Sequence, residues 1–406
     1  MDKNGLFQGF WHRNKAKYDI FLRMLDNHHA FRFPWRNGNH FELLIDGRRF
    51  FPRLLAAIDA ARRYVLVEMY LFESGVVASK FIDALVRAAK RGVAVQMLLD
   101  DFGALDLTRA DRERIQAAGI ALTFYNPLRT AQLLRNFFRD HRKLMLVDGH
   151  VAFTGGAGIA DEFDPPQHSE RAWRETLIEI HGPVVQDWQE LFLEVWNRRR
   201  PALASLPPAD LSTAGDHHGR VTVTHGPIGQ EIKRSLLNHA RSARVRVWIT
   251  TAYFIPSWKI RRALKQAVYR GVDVRLLLPG PVTDHPAVRH AGRRYYQRLL
   301  RHGVRIFEYQ PRFLHQKVTV CDDWVSLGSA NLDRWNLRWN LEANQEVNDA
   351  GFARATCAML ADDFSDAVEC RYETWRQRSW HARLLEWFWG MVDQLLERLG
   401  RRRDTD

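Results

Sequence analysis

The segment DHRKLMLVDG (residues 140–149) has a close counterpart in LHQKVTVCDD (residues 314–323). In each copy a histidine is followed two positions later by a lysine, then by strand-forming residues and an aspartate. One His-x-Lys pair on a strand more often belongs to a solvated edge than to a site, but a pair that recurs in the same setting indicates shared chemistry. The repeated residues are the catalytic candidates, His141, Lys143 and Asp148 in the first copy and His315, Lys317 and Asp322 in the second. Each aspartate falls at a strand end, where a carboxylate can order a lysine or cap a turn.

The elements around these segments recur in the same order. AAKRGVAVQMLLDD (88–101) resembles AVYRGVDVRLLLPG (267–280), and IQAAGIALTFYNP (115–127) resembles LLRHGVRIFEYQP (299–311). Each segment has a helical pattern, a glycine turn and an apolar strand. Helices and strands alternating at this spacing predict an α/β fold with a mainly parallel sheet. The repeated order indicates an internal duplication.

The duplication and the chain ends predict five segments. Between the halves lies a stretch rich in Pro, Ala and Ser, which is typical of a linker. The segments are a basic and aromatic N-terminal segment (1–30), a first α/β domain (31–200), a linker (201–218), a second α/β domain (219–380) and an amphipathic basic C-terminal helix (381–406).

The composition limits the classes of partner. The chain has 60 basic and 47 acidic residues, a net charge of +13, which attracts nucleic acid or an anionic membrane unless the protein is merely basic and soluble. Three cysteines are too few for a disulfide framework, so we expect a reducing compartment. No run approaches the roughly 18 apolar residues of a membrane span, and the N-terminus has no signal-peptide core. Any membrane contact is therefore expected to be peripheral.

The two histidine–lysine pairs are the strongest candidates for chemistry. Side chains at i and i+2 of a strand point to the same face, so His141 and Lys143 share a face, while Arg142 points away. The same reasoning applies to His315 and Lys317. An ammonium beside an imidazole suits an anionic phosphorus, because the lysine binds an oxygen while the histidine attacks or transfers a proton.

Glycines and carboxylates follow each pair. The segments FTGGAG (153–158) and LGSANLD (327–333) are expected to bring the backbone and neutral donors close to a bound phosphate. The candidate phosphate-binding residues are Gly155, Gly156, Gly328, Ser329 and Asn331. Further along, Glu175 is expected to orient His141, and Glu342 is expected to orient His315, each by fixing the imidazole tautomer.

Metal and cofactor sites are not expected. There is no Cys-x-x-Cys pair, and no His-x-x-x-His pair accompanied by a carboxylate. The charge of a substrate phosphate is therefore expected to be neutralised by Lys143 and Lys317.

The doubled motif resembles the signature of the phospholipase D superfamily, which is His-x-Lys, four residues, Asp, six residues and Gly-Ser-x-Asn in each half. The resemblance covers roughly residues 40–375. It implies two α/β domains related by a pseudo-two-fold axis, one active site at their interface, a phosphohistidine intermediate and no metal. The family precedent makes the N-terminal histidine, here His141, the nucleophile, with His315 as the acid and then the base.

The chain departs from this signature twice. Gly156 and Gly158 replace the usual Ser and Asn in the first half, so that half supplies fewer phosphate donors. In the second half five residues, not six, separate Asp322 from Gly328. The deletion is expected in a hairpin turn, where Asp323 can partly substitute for Asp322.

Several features favour a lipid substrate. The segment RTAQLLRNFFRDHRK (129–143) interleaves arginines, including Arg139 and Arg142, with large apolar residues, as suits a lip for acyl chains beside phosphate. The C-terminal helix has an apolar stripe and basic residues, which suits a membrane surface or, equally, docking on the core. Tyr70 and Tyr253, at equivalent strand ends, line the cleft or belong to the core.

The layout is similar to that of bacterial cardiolipin synthases of the shorter kind. This resemblance implies transfer of a phosphatidyl group from one phosphatidylglycerol to another, with release of glycerol. The implied partners are anionic phospholipid and the membrane surface, at the cytoplasmic face of the bacterial inner membrane, without nucleic acid; the oligomeric state is open. The alternatives are a phospholipase D or phosphodiesterase, a nuclease, and an idle membrane-binding scaffold.

Overall fold

The computed structural model describes residues 31–128, 136, 138–199, 206–225, 229–334, 336–381 and 384–391. The predicted N-terminal segment (1–30) and the end of the predicted C-terminal helix (392–406) lie outside the described residues. Within the described ranges, no helix combines the length and apolarity needed to cross a membrane.

The first half consists of a sheet flanked by helices. Its main elements are β1 (Arg36–Ile45), α1 (Gly47–Ala60), β2 (Tyr64–Met69), α2 (Val76–Lys90), β3 (Ala94–Asp100), α3 (Arg109–Ala117), β4 (Ala121–Tyr125), β5 (Lys143–Val147), β6 (Val151–Gly155), β7 (Thr176–His181) and α4 (Val185–Arg199). The strand order is β4-β3-β2-β5-β6-β7-β1.

The second half repeats this scheme. Its elements are β8 (His217–His225), β9 (Gly229–Gln230), α5 (Glu231–Ser242), β10 (Arg246–Thr250), β11 (Phe254–Ile255), α6 (Trp258–Tyr269), β12 (Asp273–Pro279), α7 (Pro286–Arg293), α8 (Tyr296–Leu300), β13 (Arg305–Tyr309), β14 (Val318–Cys321), β15 (Trp324–Gly328), β16 (Leu332–Asp333), α9 (Asn336–Trp339), β17 (Leu341–Asn348), α10 (Ala350–Ser365), β18 (Ala367–Cys370) and α11 (Tyr372–Arg376). The matching strand order is β13-β12-β10-β14-β15-β17-β8, with β18 added at the edge.

The two sheets join at β1 and β8, which stand last in the two strand orders. β1 pairs antiparallel with β8, and an irregularity in register separates the Arg36–Gly219 pair from the Asn39–His217 pair. The strand order therefore runs outward in the same sequence from both sides of this junction, which is the predicted pseudo-two-fold arrangement of duplicated α/β domains. β8 begins at His217, so it includes the end of the segment predicted as linker.

The sheet is mixed, and the expectation of a mainly parallel sheet was wrong. Within this sheet only β2, β3 and β4, and their counterparts β10, β12 and β13, pair in parallel, and outside it the short strands β11 and β16 form a further parallel pair. The pairings from β2 through β5, β6 and β7 to β1 are antiparallel. The reason is local: β5 and β6 are joined by a short turn, and a parallel connection needs a crossover of a dozen or more residues.

Glycines end the helices that feed the parallel strands. Gly92 follows α2 with φ 90°, and Gly271 follows α6 with φ 85°. This left-handed conformation is the usual end of a helix, and glycine adopts it without a Cβ penalty. The sequence prediction of a helix-to-strand turn at Gly92 is confirmed.

The core has two layers, one on each side of the sheet. On one side α4 and α10 contribute to a single apolar cluster that includes residues of both halves, among them Trp188, Trp196 and Leu360. On the other side each half has its own cluster under its own helices. The shared layer holds the junction together, since replacing a fully buried Trp by Ala typically costs about 3–5 kcal/mol.

Candidate active site

The two histidine–lysine pairs lie immediately before or at the start of equivalent strands. Lys143 is the first residue of β5, and Lys317 directly precedes β14. His141 is 8% exposed and His315 is 7% exposed, and both lysines are more deeply buried. Four ionisable side chains at such depth need partners, because an unpaired buried charge is strongly unfavourable.

Each histidine interacts with a glutamate from the opposite half. Nδ1 of His315 lies 2.6 Å from Oε2 of Glu175. Nδ1 of His141 lies 3.1 Å from Oε2 and 2.9 Å from Oε1 of Glu342. The expected same-half pairs, Glu175 with His141 and Glu342 with His315, were therefore wrong: the glutamates are exchanged.

Backbone pairing between the halves produces this exchange. The main-chain N–H of His141 donates to the carbonyl of Leu341, and the N–H of His315 donates to the carbonyl of Arg174. Leu341 directly precedes Glu342, and Arg174 directly precedes Glu175. The backbone of each histidine is therefore hydrogen-bonded to the residue before its partner glutamate. Two isolated parallel bridges, Asp140 with Leu341 and Arg174 with Leu314, fix this register.

The two lysines differ in their contacts. Lys143 Nζ donates to the main-chain carbonyl of His141 at 2.7 Å. Lys317 Nζ donates to the carbonyl of His315 and also lies 2.9 Å from Nδ1 and 3.0 Å from Nε2 of that imidazole. It lies 3.6 Å from Oε2 of Glu175 as well. The second pair is thus a tighter ammonium–imidazole–carboxylate group than the first.

Burial and positive charge keep both imidazoles neutral. Burial, followed by the charges of Lys143 and Lys317, lowers the pKa of His141 well below its ordinary value. Burial and then Lys317 have the same effect on the pKa of His315. A neutral imidazole whose Nδ1 faces a carboxylate carries its proton there, which leaves Nε2 with the lone pair needed for attack.

The glutamates and lysines are also shifted toward neutrality. Burial raises the pKa of Glu175 to about 7 and that of Glu342 to about 8, although the lysines oppose both shifts. Burial lowers the pKa of Lys143 to about 7 and also lowers the pKa of Lys317. Perturbed groups clustered in this way mark functional sites more often than structural ones.

Asp148 and Asp322 are turn residues and not part of this cluster. Asp148 accepts from the amides of Arg62, Arg63 and Tyr64 through its two carboxylate oxygens, each at 2.8 Å. Asp148 follows β5, whereas Lys143 begins it, so about 16 Å of strand separates them. These contacts are those of the predicted turn cap, whereas the alternative of ordering the lysine does not hold, because the strand places the carboxylate at the opposite end of β5.

The second turn repeats this contact despite its deletion. Asp322 accepts from the amides of Arg244, Val245 and Arg246 at 2.8–2.9 Å. Partial burial opposes the shift, but these backbone donors lower the pKa of Asp322. Both aspartates have positive φ, 55° at Asp148 and 53° at Asp322. The shorter spacing is taken up by a tighter turn, and Asp323 does not replace Asp322.

The glycine segments explain the departure at position 156. Ser329 donates through Oγ to Oε2 of Glu342 at 2.5 Å. At the equivalent Gly156, an added Cβ would lie 2.2 Å from Oε2 of Glu175. Gly155 and Gly328 pack equally closely against the neighbouring strand β7 or β17. Glu175 therefore occupies the space that a serine at position 156 would need.

Asn331 forms hydrogen bonds with the segment that follows β10. Its Oδ1 accepts from Thr251 Oγ1 at 3.3 Å and from the amide of Tyr253 at 3.4 Å. Its buried Nδ2 has no hydrogen-bond partner among the described residues. A free amide donor beside the histidines suits an anionic ligand.

Aromatic side chains surround the two histidines. The ring of Tyr70 lies 4.6 Å from that of His141, and Lys143 Nζ lies 4.9 Å from the Tyr70 ring centroid. Around His315 the rings of Phe163, Trp173 and Phe313 lie at 5.6, 5.1 and 5.6 Å. Tyr70 thus belongs to the site, and His315 is surrounded by apolar aromatic side chains.

The described part of residues 129–143 does not form the predicted basic lip. Arg139 is buried and pairs with Asp100 at 3.3 Å. Arg142 is buried on the face away from the site, 3.0 Å from His225 Nε2 and 3.5 Å from Glu68. Residues 129–135 and 137 lie outside the described residues. Arg142 points away from the pair as the strand pattern predicts.

Sequence reasoning missed one carboxylate at this site. Asp284 lies between β12 and α7 and accepts a hydrogen bond from the hydroxyl of Tyr253. Nothing in the loop PGPVTDHP marks it, since no repeat or spacing singles out one acid in a turn. A search for acidic residues after the parallel strands would have found it. No group of three or more metal-ligating side chains is present in the described part of the chain.

Comparisons with known proteins agree with this geometry. A family model described as "Cardiolipin synthase, PLD-like domain" matches residues 54–196 and 236–365. Cardiolipin synthase A of Pseudomonas aeruginosa (strain LESB58) is 36% identical over 346 residues, which cover 83% of this chain and 69% of that protein. Cardiolipin synthase A of Pseudomonas putida (strain W619) is 38% identical over 344 residues, with coverages of 83% and 71%.

Two solved structures share the fold. Phosphatidylserine synthase of Haemophilus influenzae Rd KW20 has a TM-score of 0.71 and 15% identity, and the match covers 92% of this chain and 98% of that one. Polyphosphate kinase from Porphyromonas gingivalis has a TM-score of 0.57 and 15% identity, covering 82% of this chain and 49% of that one. At these identities the likeness extends to the fold alone. With the family model and the Pseudomonas relatives, the conclusion is that this chain belongs to the cardiolipin synthase family of PLD-like proteins.

Proposed function

We propose that the chain is a cardiolipin synthase that transfers the phosphatidyl group of one phosphatidylglycerol to the hydroxyl of another, releasing glycerol. The observation that carries the proposal is the pair of buried imidazoles, each with a glutamate of the opposite half at Nδ1. Such a pair supplies one nucleophile and one acid–base group in a single cleft. The names of the Pseudomonas relatives support the choice of substrate.

The first half-reaction forms a phosphohistidine. Nε2 of His141 attacks the phosphorus, the bond from phosphorus to the glycerol oxygen breaks, and His315 delivers its proton to that oxygen. The contacts of Lys317 with both nitrogens of His315, absent from the first pair, support this division of roles. When an anionic phosphate binds, its oxygens attract the ammonium of Lys317, and His315 can then carry a proton.

The second half-reaction reverses these steps with a new alcohol. The hydroxyl of the second phosphatidylglycerol gives its proton to His315, its oxygen bonds to phosphorus, and the phosphorus–nitrogen bond to His141 breaks. Transfer requires that this alcohol outcompete water. The rings of Trp173, Phe163 and Phe313 around His315 favour transfer, because they reduce the water available beside the base.

Charge neutralisation comes from the protein. Lys143 and Lys317 lie on the two sides of the cleft, and the phosphate of a diester carries one negative charge. Preorganised cations in a buried site stabilise developing charge strongly, because they need no reorganisation during the reaction. The buried Nδ2 of Asn331 adds a neutral donor.

Membrane contact is supported by residues 384–391. Glu386 and Gly390 face the protein, where Glu386 accepts from Arg378 and the carbonyl of Gly390 accepts from Arg294. The outward side is apolar instead of polar, and its exposed residues are Leu384, Leu385, Trp387, Phe388 and Met391. One side of this segment is docked on the protein, and the side that faces solvent is apolar. The apolar side fits the acyl–headgroup boundary of an anionic bilayer. We infer a peripheral location at the cytoplasmic face of the membrane.

A direct assay separates the candidate activities. Purified protein is incubated with phosphatidylglycerol vesicles, and separately with single-stranded DNA, and the products are analysed by mass spectrometry. A synthase yields cardiolipin and glycerol, a phospholipase D yields phosphatidic acid and glycerol, and a nuclease shortens the DNA. The matched control is His141→Ala, which should yield none of these products. Phosphatidic acid as the main product would replace the proposal by hydrolysis.

A further inference from the structure

Asp284 has an unused acceptor oxygen, and Tyr253 connects its carboxylate to Asn331 of the second motif segment. Oδ2 of Asp284 accepts from the hydroxyl of Tyr253, while its Oδ1 is buried and has no hydrogen-bond partner among the described residues. Buried polar atoms are nearly always paired, and leaving one unpaired costs free energy. An orphan carboxylate oxygen in a substrate cleft is therefore a site for a donor that the ligand brings.

The charge of this carboxylate acts on the His315–Lys317 pair. Burial lowers the pKa of His315, and Lys317 lowers it further, but the charge of Asp284 opposes that shift. Asp284 likewise opposes the lowering of the Lys317 pKa by burial. Its field therefore reaches the imidazole that we assign to the leaving and incoming alcohols.

Tyr253 holds Asp284 in a defined place. The amide of Tyr253 donates to Asn331 Oδ1, and the carbonyl of Tyr253 accepts from Thr251 Oγ1 at 3.0 Å. Burial and then the charge of Asp284 raise the pKa of the Tyr253 phenol well above its ordinary value, so the hydroxyl remains a donor. The hydrogen bond from Tyr253 thus fixes Oδ2 of Asp284 and thereby sets the direction of Oδ1.

In the described part of the first half, the acid at the end of the counterpart strand has no open oxygen. Asp100 ends β3, the counterpart of β12, and its carboxylate accepts from the amides of Phe102, Gly103 and Asp140 and from Arg139. That carboxylate is saturated by the protein itself.

We propose that Asp284 accepts a hydrogen bond from the non-reacting hydroxyl of the glycerol headgroup and so selects acceptors that carry a second hydroxyl. This inference rests on the proposed function. A hydroxyl is both donor and acceptor, so one hydroxyl of the headgroup gives its proton to His315 while its neighbour donates to Asp284. The leaving glycerol and the incoming headgroup occupy the same position, so the contact serves both half-reactions.

A cationic headgroup suits this place less well. An ammonium would also pair with a carboxylate, but Asp284 lies within the field of Lys317, and like charges at close range repel. A neutral hydroxyl obtains the hydrogen bond without that repulsion. Ethanolamine is therefore expected to be a poorer acceptor than glycerol.

The test is a competition within one reaction. Wild-type and Asp284→Asn enzymes consume phosphatidylglycerol vesicles in the presence of equal concentrations of isotope-labelled glycerol and 1-propanol, and the two phosphatidyl products are quantified. Both acceptors react with the same phosphohistidine, so the product ratio is independent of how fast that intermediate forms. The ratio of glycerol product to propanol product should fall about tenfold in Asp284→Asn, the loss expected for one hydrogen bond to a charged group.

Two further variants guard the conclusion. Asp284→Glu keeps the carboxylate and should recover part of the preference for glycerol, while Asp323→Asn, an exposed acid in the β14–β15 turn, should keep the wild-type ratio. If both products fall together in Asp284→Asn at an unchanged ratio, Asp284 does not select the acceptor and the inference is wrong. If wild-type enzyme transfers no phosphatidyl group at all, the proposed function fails and takes the inference with it.

Discussion

Glu175 precedes His315 by 140 residues, yet its Oε2 lies 2.6 Å from Nδ1 of that histidine. The reciprocal pair, His141 and Glu342, is 201 residues apart in the chain. Each imidazole is therefore oriented by the half to which it does not belong. The consequences for catalysis differ between the two glutamates and can be measured separately.

The first prediction concerns these two glutamates. Glu175→Gln should impair His315 and so slow breakdown of the intermediate, leaving a phosphatidyl adduct on His141. Glu342→Gln should instead slow adduct formation. Because positioned acid–base groups contribute about 10²- to 10⁴-fold, turnover should fall by that order in both variants. Quenched protein is digested and the adduct is mapped by mass spectrometry; an adduct on His315 would reverse the roles.

The second prediction concerns the turn aspartates. Asp148→Ala removes the acceptor of three amides and a residue that tolerates positive φ, so it should lower the free energy of unfolding by about 1–3 kcal/mol or more. Asp148→Asn keeps one carbonyl oxygen and the conformation and should lose less. Thermal unfolding measures the loss, and turnover per folded molecule should stay near wild type. A large fall in turnover without loss of stability would return Asp148 to the catalytic group.

The third prediction concerns pH and Lys143. Burial lowers the pKa of this ammonium to about 7 in the free protein, and a bound phosphate raises it again. Above that pKa, binding must be accompanied by proton uptake, so affinity falls as pH rises, by about tenfold per unit while only one group is coupled. Titration with glycerophosphoglycerol, a diester without a titrating group near neutrality, measures this. Lys143→Arg should flatten the dependence, and an unchanged slope would assign it to another group.

Metal independence is the fourth prediction. Lys143 and Lys317 neutralise the phosphate in our proposal, so exhaustive EDTA treatment should leave turnover within about twofold of the untreated enzyme, since no Lewis acid is removed. The check is turnover after dialysis, with magnesium and zinc added back separately. Loss of activity that either metal restores would contradict the proposed role of the lysines.

The fifth prediction concerns the apolar surface at residues 384–391. A triple variant, Leu384→Ser, Trp387→Ser and Phe388→Ser, should weaken binding to anionic vesicles at least tenfold, because each side chain loses apolar burial of roughly 1.5–3 kcal/mol at most. Its melting temperature should not fall, since these side chains face solvent. The matched control is Val245→Ser with Val368→Ser, two exposed apolar positions elsewhere. Equal vesicle affinity in all three proteins would exclude this surface.

The sequence predicts the local parts of the site well. His141 with Lys143, and His315 with Lys317, are two positions apart, and the chain leading into β5 and β14 brings each pair together. The duplication adds the pseudo-symmetry of the fold. The turn cap at Asp148 is also a local feature, but the same spacing suggests a contact with Lys143 that the extended strand rules out by placing the two residues at opposite ends of β5.

Long-range relationships were beyond that reasoning. The exchange of Glu175 and Glu342 depends on backbone bridges between residues of different halves, and spacing along the chain contains no record of them. Asp284 was missed because its role comes from an unpaired oxygen, which is a property of its surroundings. The connections within the hairpins that make the sheet mixed are too short to contain a helix. Because the prediction followed the helix–strand repeats, it did not include these hairpins.

The junction of β1 with β8 has a consequence for how the two halves could diverge. A separate half would expose β1 or β8 as an open edge strand, a template for aggregation, and would contain a histidine without its glutamate. Neither half therefore contains a complete histidine–glutamate pair. A change in one half, such as a serine at position 156, would act through Glu175 on the histidine of the other half. The chain is in this respect a covalently fused dimer in which the chemistry of each copy depends on its neighbour.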